Sequence, residues 1–219
     1  MDLGNLRQNY KKAEFDIQDA LANPIEQFKQ WFEQALETKP SAEPNAMVLS
    51  TIGKNNRPSA RVVLLKSIDE GFVFYTNYES RKGENLATNP YASLTFFWAE
   101  LERQVRIEGK IEKISAEKST EYFKSRPIGS QIGAIASPQS KPLNNREELE
   151  TLFDSIQKNY EETNSIERPK NWGGYRLIPD YVEFWQGRES RLHDRITYLL
   201  KENDDEKSSS VWKIVRLAP

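Results

Sequence analysis

The sequence predicts a mainly β protein with flanking helices, an α+β chain built on one antiparallel sheet. Three observations carry this reading. Apolar and alternating stretches recur with only short polar turns between them, so neighbouring strands meet as hairpins and not through helical crossovers. From Ser115 the hydrophobic period changes to that of helices, and strand-like runs return after residue 171. No internal repeat and no long linker divides the chain. A β-barrel or strongly curled sheet with helices packed outside satisfies all three.

The elements follow in order. Residues 1–22 are polar and weakly periodic and read as a mobile N-terminal arm, leaving 23–219 as a single domain. Asn23-Pro24 gives an N-cap followed by proline at the first helical position. Ile25, Phe28, Trp31, Phe32, Ala35 and Leu36 then recur at helical spacing and predict a helix over 24–38. Strands are expected at 46–52, 59–68, 72–77, 91–99 and 103–114, with turns at "KNNRP" and "DEG". Helices are expected through "SAEKSTEYFKSR", through a glycine-broken "PIGSQIGAIAS", and over 145–162 behind Asn144 as a cap. "GGYRLIP", "YVEFWQG", "RLHDRITYLLK" and "VWKIVRL" read as the closing strands.

Composition narrows the function. The chain has 219 residues, 37% hydrophobic and 11% aromatic, enough for a substantial core. With no cysteine and one histidine, disulfides, thiolate metal sites and multi-histidine metal sites are excluded. The N-terminal stretch has no apolar run after its charges, and no run of about 18 apolar residues occurs, so a cytoplasmic protein without membrane contact is expected. The 31 basic and 33 acidic residues nearly cancel, which argues against bulk nucleic-acid binding and leaves local basic pockets open.

Such pockets are visible as motifs. "WQGRESRLHDR" (185–195) places three arginines and the only histidine in its last eight residues. Read as a strand, "RLHDR" puts Arg191, His193 and Arg195 on one face, with Leu192 and Asp194 on the other. That row suits a phosphate or an anionic ring; the alternative is a solvated charged edge. "RVVLLK" (61–66) reads as a buried strand ended by cations. In "NYESRKGENLATNP" (77–90), Ser80 caps a helix whose first turn holds Arg81 and Lys82. Cations are unfavourable there unless an anion offsets them, and the free N–H groups attract that anion. "EYFKSRPIGSQIG" (121–133) offers Tyr122, Arg126 and Ser130 at spacing of four, one side of a helix if the segment is helical. "SPQSKP" (137–142) adds Gln139 and Ser140. Two phosphates, one of a cofactor and one of a substrate, account for these clusters. Neither GxGxxG nor a Walker loop is present.

Taken together and in order, "RVVLLK", "YTNYESRK", "LERQVRIEG", "YFKSRPIGSQIGA", "SPQS", "WGGYR", "EFWQGRESRLHDR" and "WKIVRLAP" resemble the pyridoxine/pyridoxamine 5′-phosphate oxidase family. The resemblance implies an antiparallel FMN-binding split β-barrel, homodimeric, with FMN at the subunit interface. It implies FMN contacts from Arg61, Val62, Val63, Leu64, Leu65, Lys66, Tyr75, Thr76, Arg81, Lys82, Gln104, Gln139, Ser140, Trp185 and Arg195. Substrate contacts are implied for Lys66, Tyr122, Arg126, Ser130, Arg191, Leu192 and His193, with Arg7 and Tyr10 of the arm folding over. Arg191 and His193 take the catalytic roles. The implied reaction oxidises pyridoxine or pyridoxamine 5′-phosphate to pyridoxal 5′-phosphate by hydride transfer to FMN, and O2 is reduced to hydrogen peroxide. Ile128, Ile135 and Pro138 depart from the family pattern. Arg61 and Lys66 have opposite parity on a regular strand, so serving one pocket requires a bulge or twist between them. The rival readings are another split-barrel flavoprotein, such as a flavin reductase-like protein, and a nucleic-acid-binding barrel.

Overall fold

In the computed structural model, which describes residues 1, 3, 9–38, 43–201 and 211–219, nine strands form one antiparallel sheet and five helices flank it. The strands are β1 (Ala46–Ile52), β2 (Pro58–Leu64), β3 (Ser67–Ile68), β4 (Phe72–Asn77), β5 (Tyr91–Trp98), β6 (Arg103–Lys113), β7 (Trp172–Gln186), β8 (Asp194–Leu200) and β9 (Trp212–Arg216). Their order is β2-β1-β5-β6-β7-β4-β3, with β8 on β7 and β9 on β8. Strand β7 is where the sheet divides. Its first half pairs with β4 and its second half with β8, while β6 runs along its other edge from Tyr175 to Gln186. The register of β6 on β7 shifts at Glu108/Gly109. A side chain at Gly109 would meet the Ile178 carbonyl oxygen at 2.0 Å, so this irregularity needs glycine. Two expected strands, in "GGYRLIP" and "YVEFWQG", are therefore one 15-residue strand. The separation suggested by Pro179-Asp180 is a bulge, where proline is tolerated because no ladder donor is required.

The expected strand 59–68 is also corrected, in the opposite sense. It is two strands, because Leu65 makes the last bond toward β1, its N–H donating to the Asn45 carbonyl, and the chain then passes to β4, where Lys66 donates to the Val73 carbonyl. Nor is it buried: β2 is an end strand, and Val62 is 66% exposed.

Helix α1 (Pro24–Glu37) begins as expected, with Asn23 Oδ1 accepting from the Ile25 N–H at 2.8 Å. Its Phe28, Trp31 and Ala35 are buried against the sheet. Phe28 meets Phe72 and Phe96 edge-on at 4.9 and 4.8 Å between ring centroids, and Trp31 meets Phe184 at 5.1 Å. Each such ring contributes about 2–3 kcal/mol of apolar burial. The arm also enters this core. Phe15 is 5% exposed and packs on Trp31 at 5.0 Å, although nothing in the polar segment around it has a core period.

Helix α2 (Arg81–Thr88) packs near β1, α3 (Ala116–Ser125) lies on β7, and α4 (Ile128–Ala136) packs against α5 (Arg146–Thr163). The cap of α5 is Asn145, not Asn144; Asn144 instead bonds the Glu148 carboxylate from its main chain and side chain at 3.0 Å. No helix among the described residues is long and apolar enough to cross a membrane.

Candidate active site

A cavity of about 760 Å3 opens between β2, β4, α3 and α4. Its size is that of a small-molecule pocket. Arg61, Val62, Val63, Leu64, Lys66, Tyr75, Thr76, Lys82, Tyr122, Arg126, Ser130 and Gln139 line it, all of them expected site residues. The parity conflict between Arg61 and Lys66 disappears at the break after Leu64, which lets both face one space. Leu65 goes the other way; its side chain is 5% exposed in the core. Tyr122, Arg126 and Ser130 are not on one helix. Pro127 ends α3 and starts α4, and the corner still turns all three toward the cavity.

One end of the cavity is built by the start of α2. Ser80 is its N-cap, as expected, and its Oγ accepts from the Gly83 N–H at 3.4 Å. Gly83 lies so close to the Tyr78 carbonyl oxygen that a Cβ would sit 2.1 Å away. Lys82 Nζ donates to Gln139 Oε1 at 2.7 Å, Thr76 Oγ1 at 3.2 Å and Ser80 Oγ at 3.3 Å. Burial, then the charge of Arg61, push its pKa down to about 8. The Arg61 guanidinium donates to Leu49 O, Thr51 Oγ1 and Ser59 Oγ, and burial followed by the Arg81 charge lowers its pKa. Arg81 itself faces an adjoining hollow with Lys54, Asn55 and Glu84.

At the other end, Tyr75, Tyr122 and Trp172 are stacked, Tyr75 on Tyr122 at 3.9 Å. Arg126 lies 4.8 Å over the Trp172 ring, and its Nη1 is buried without a hydrogen-bond partner. None of Arg61, Lys66, Lys82 and Arg126 has an ion pair with a carboxylate among the described residues. Four cations around one cavity without counter-charges form a site for a polyanion. Trp172, which the reading of the sequence had not singled out, forms one wall. Its signal was the "WGGYR" motif. Gly173 and Gly174, where side chains would strike Tyr78 and Ile114, let the strand pass beneath.

The remaining expected residues gather elsewhere, at the far end of β7. Gln104, Trp185 and Arg195 are directly opposite one another on β6, β7 and β8 and share a face. Trp172 and Trp185 are separated by about 40 Å of strand length. Arg195 donates to Glu183 from Nη2 at 2.8 Å and Nε at 3.2 Å, and to Ala218 O at 2.8 Å. Burial works against the Glu183 carboxylate, but hydrogen bonds from Arg195 and Tyr181 and the charges of Arg195 and Arg106 hold its pKa below the usual range.

Here the expected strand through "RLHDR" is wrong. Strand β8 starts at Asp194, and residues 189–191 form a tight turn in which Ser190 and Arg191 have φ of 55° and 62°. Arg191 and His193 therefore do not share a strand face with Arg195. His193 stands beside Trp185, 4.6 Å between ring centroids, with Tyr10 of the arm 5.9 Å from it and 5.8 Å from Trp185. Leu192 is 69% exposed, and Arg191 is exposed without a hydrogen-bond or ion-pair partner among the described residues. Arg7 lies outside the described residues. Ser140, at φ 72°, lies just beyond the cavity-lining Gln139. The arm is tied down by Glu102, whose Oε2 accepts from the N–H groups of Lys11 and Lys12 at 2.8 and 3.0 Å, and by Asp194, which accepts from the Phe15 N–H at 3.1 Å.

A forked antiparallel half-barrel with an anion-accepting cavity beside the fork is the architecture of a split-barrel flavoprotein. Residues 29–160 match the family described as pyridoxamine 5′-phosphate oxidase, and 172–219 match the pyridoxine 5′-phosphate oxidase C-terminal dimerisation region. The chain is 54% identical to a pyridoxine/pyridoxamine 5′-phosphate oxidase of Burkholderia cenocepacia and 55% identical to one of Paraburkholderia phytofirmans, in both cases over 99% of each chain. It belongs to the pyridoxine/pyridoxamine 5′-phosphate oxidase family of oxidoreductases. Among solved structures, PhzG from Burkholderia lata, in complex with tetrahydrophenazine-1-carboxylic acid, superposes with a TM-score of 0.83 at 30% identity, covering 92% of this chain and 95% of that one. A pyridoxamine 5′-phosphate oxidase-related, FMN binding protein from Nostoc punctiforme shares the fold, with a TM-score of 0.71 at 16% identity and coverage of 91% and 100%.

Proposed function

We propose that the protein binds FMN and oxidises pyridoxine 5′-phosphate or pyridoxamine 5′-phosphate to pyridoxal 5′-phosphate, with O2 as acceptor and hydrogen peroxide as product. The observation that carries this reading is the cavity with cations at both ends and no carboxylate paired to them. Lys82 and Arg61, with Arg81 at the helix start, are suited to the FMN phosphate. The orphaned Nη1 of Arg126 asks for a second anion, and Lys66, Tyr122 and Ser130 beside it complete a cradle for the substrate phosphate. The ligand named with PhzG is a carboxylic acid, so dependence on a substrate phosphate separates the two chemistries.

When bound, FMN supplies the hydride acceptor for the substrate's exocyclic carbon and the route of electrons to O2. The chain's own part is to bind and orient. The two phosphate cradles would set the distance between flavin and substrate, and the aromatic stack of Tyr75, Tyr122 and Trp172 would keep water from one side. Arg191 would place positive charge beside the electron-rich ring, and His193 would bond its phenolic oxygen. Because these two stand far along β7 from the cavity, we place them in the site of the opposite copy of a homodimer. The match of 172–219 to a dimerisation region supports that assembly.

The test is aerobic incubation with FMN and pyridoxine 5′-phosphate, following aldehyde and peroxide together. Equimolar products are expected, with unphosphorylated pyridoxine at least about 100-fold poorer, since one charge-assisted cradle is then unused. Equal rates for the two would rule out the second phosphate site.

A further inference from the structure

The chain's only histidine sits at the end of a closed turn, and what closes the turn is the histidine ring. The Arg188 main-chain N–H donates to His193 Nδ1 at 3.0 Å. A peptide N–H can only donate, so Nδ1 must offer a lone pair, and the ring proton of a neutral imidazole must then reside on Nε2. The turn is not a loose one. The Leu192 N–H donates to Glu189 O at 3.0 Å, and Ser190 and Arg191 are held in left-handed conformations that L-residues adopt at a cost. The Arg188 side chain braces it from outside, bonding Glu14 of the arm at 2.6 Å and Asp194 at 3.1 Å.

We infer that His193 is presented to the site as the neutral Nε2–H tautomer, a fixed hydrogen-bond donor, and that the main chain of Arg188 is the positioning group that selects it. The tautomer rests on the turn alone; its target, the phenolic oxygen of a pyridine substrate, rests on the function proposed above. Nε2 has no partner among the described residues, so its N–H is free to donate. The groups facing the ring are Tyr10 from the arm, Trp185 from β7, and Arg188, Arg191 and Asp194 from the turn and the start of β8. Burial and the Arg191 charge lower the histidine pKa against the opposing pull of Asp194. Protonation would also set an Nδ1–H against the Arg188 N–H, so the bond itself favours the neutral ring. The consequence is a direction: in this state Nε2 gives a hydrogen bond and takes no proton. His193 therefore stabilises negative charge on the ring oxygen and is not the base of the reaction.

With one histidine in the chain, ring-nitrogen NMR of the full-length, FMN-loaded protein reads this directly. At pH 7.5 the unprotonated nitrogen should be Nδ1, identified because it couples to Hε1 only. An unprotonated nitrogen coupled to both ring protons, or averaged shifts for the two, overturns the tautomer. Kinetics test the donor role. Asparagine places its amide near the Nδ1 position and glutamine near Nε2. His193→Asn should keep the turn and lose about tenfold in turnover, whereas His193→Gln should retain the larger share of turnover. Asparagine equal to or better than glutamine overturns the donor role. A wild-type protein that shows the expected spectrum yet does not oxidise pyridoxine 5′-phosphate overturns the proposed reaction and supports the tautomer.

Discussion

The two ends of β7 carry similar numbers of cations and treat them differently. Around the cavity, Lys82, Arg61 and Arg126 are partly buried; Lys82 and Arg61 bond only neutral groups, and Arg126 lies over the Trp172 ring with its buried Nη1 without a hydrogen-bond partner. Around the turn, Arg195 is paired with Glu183, Arg188 with Glu14 and Asp194, and Arg216 with Asp194 and Asp16. The first arrangement holds charge without counter-charge among the described residues, as the proposed phosphate cradles require. The second is complete and spends its charges on holding a shape, from which Arg191 alone projects unpaired among the described residues. Charge density by itself does not mark a binding site; charge without a counter-charge does.

The sharpest way to break this contrast is to remove one cation from each end. Arg195→Leu takes both guanidinium hydrogen bonds from the Glu183 carboxylate, 2% exposed, leaving it only Tyr181 and the more distant Arg106, and should destabilise the protein by about 3 kcal/mol in denaturant unfolding, with Glu183→Gln added in the same chain restoring part of it. Lys82→Met should leave the stability of the flavin-free protein unchanged or raised, because a desolvated, unpaired charge is lost. A stability loss for Lys82→Met as large as that for Arg195→Leu would erase the distinction.

Next in size is ligand affinity. Arg81→Ala with Lys82→Ala should weaken FMN binding about 100-fold or more, measured by flavin fluorescence quenching. Arg191→Leu should leave FMN bound and the fold intact while catalytic efficiency falls about 100-fold, since only a charged contact to the reacting ring is removed. Loss of flavin in that variant would assign Arg191 to the cofactor.

The smallest effect is a pH dependence. Lys82 titrates near pH 8 in the flavin-free protein, below an unfolded lysine at 10.5. A phosphate beside it raises that value, so binding takes up protons above pH 8 and FMN affinity should fall as pH rises past it, by less than tenfold per unit. Folding has the opposite sign. The unfolded chain binds more protons between about 8 and 10.5, so the Lys82 contribution to flavin-free stability should rise with pH across that window. Both slopes should vanish in Lys82→Met.

Much of this was legible in the chain. Strands at 46–52 and 72–77 and the capped starts at Asn23 and Ser80 follow from periodicity and cap chemistry alone, and the cations at the helix start drew attention to Lys82, which lines the cavity. The break at Leu65 was legible only as a conflict, since two residues of opposite parity were needed in one pocket. "RLHDR" misled because alternating charges imitate a strand, while the actual turn depends on two left-handed residues and on a bond between Arg188 and His193 that no period encodes. Phe15 escaped because one aromatic in a polar segment has no pattern; its burial comes from Trp31 and Phe184, remote in sequence.

The length of β7 has a genetic consequence. If its ends serve different sites of a dimer, a chain crippled in the cavity and a chain crippled in the turn damage the same site only when paired in one sense. A mixed dimer of Arg126→Leu and Arg191→Leu would carry one site with both lesions and one with neither. Two alleles that are each inactive would then complement when expressed together, to about one quarter of the wild-type activity if subunits assort at random. Were each site built from a single chain, the same mixture would stay as inactive as its parts.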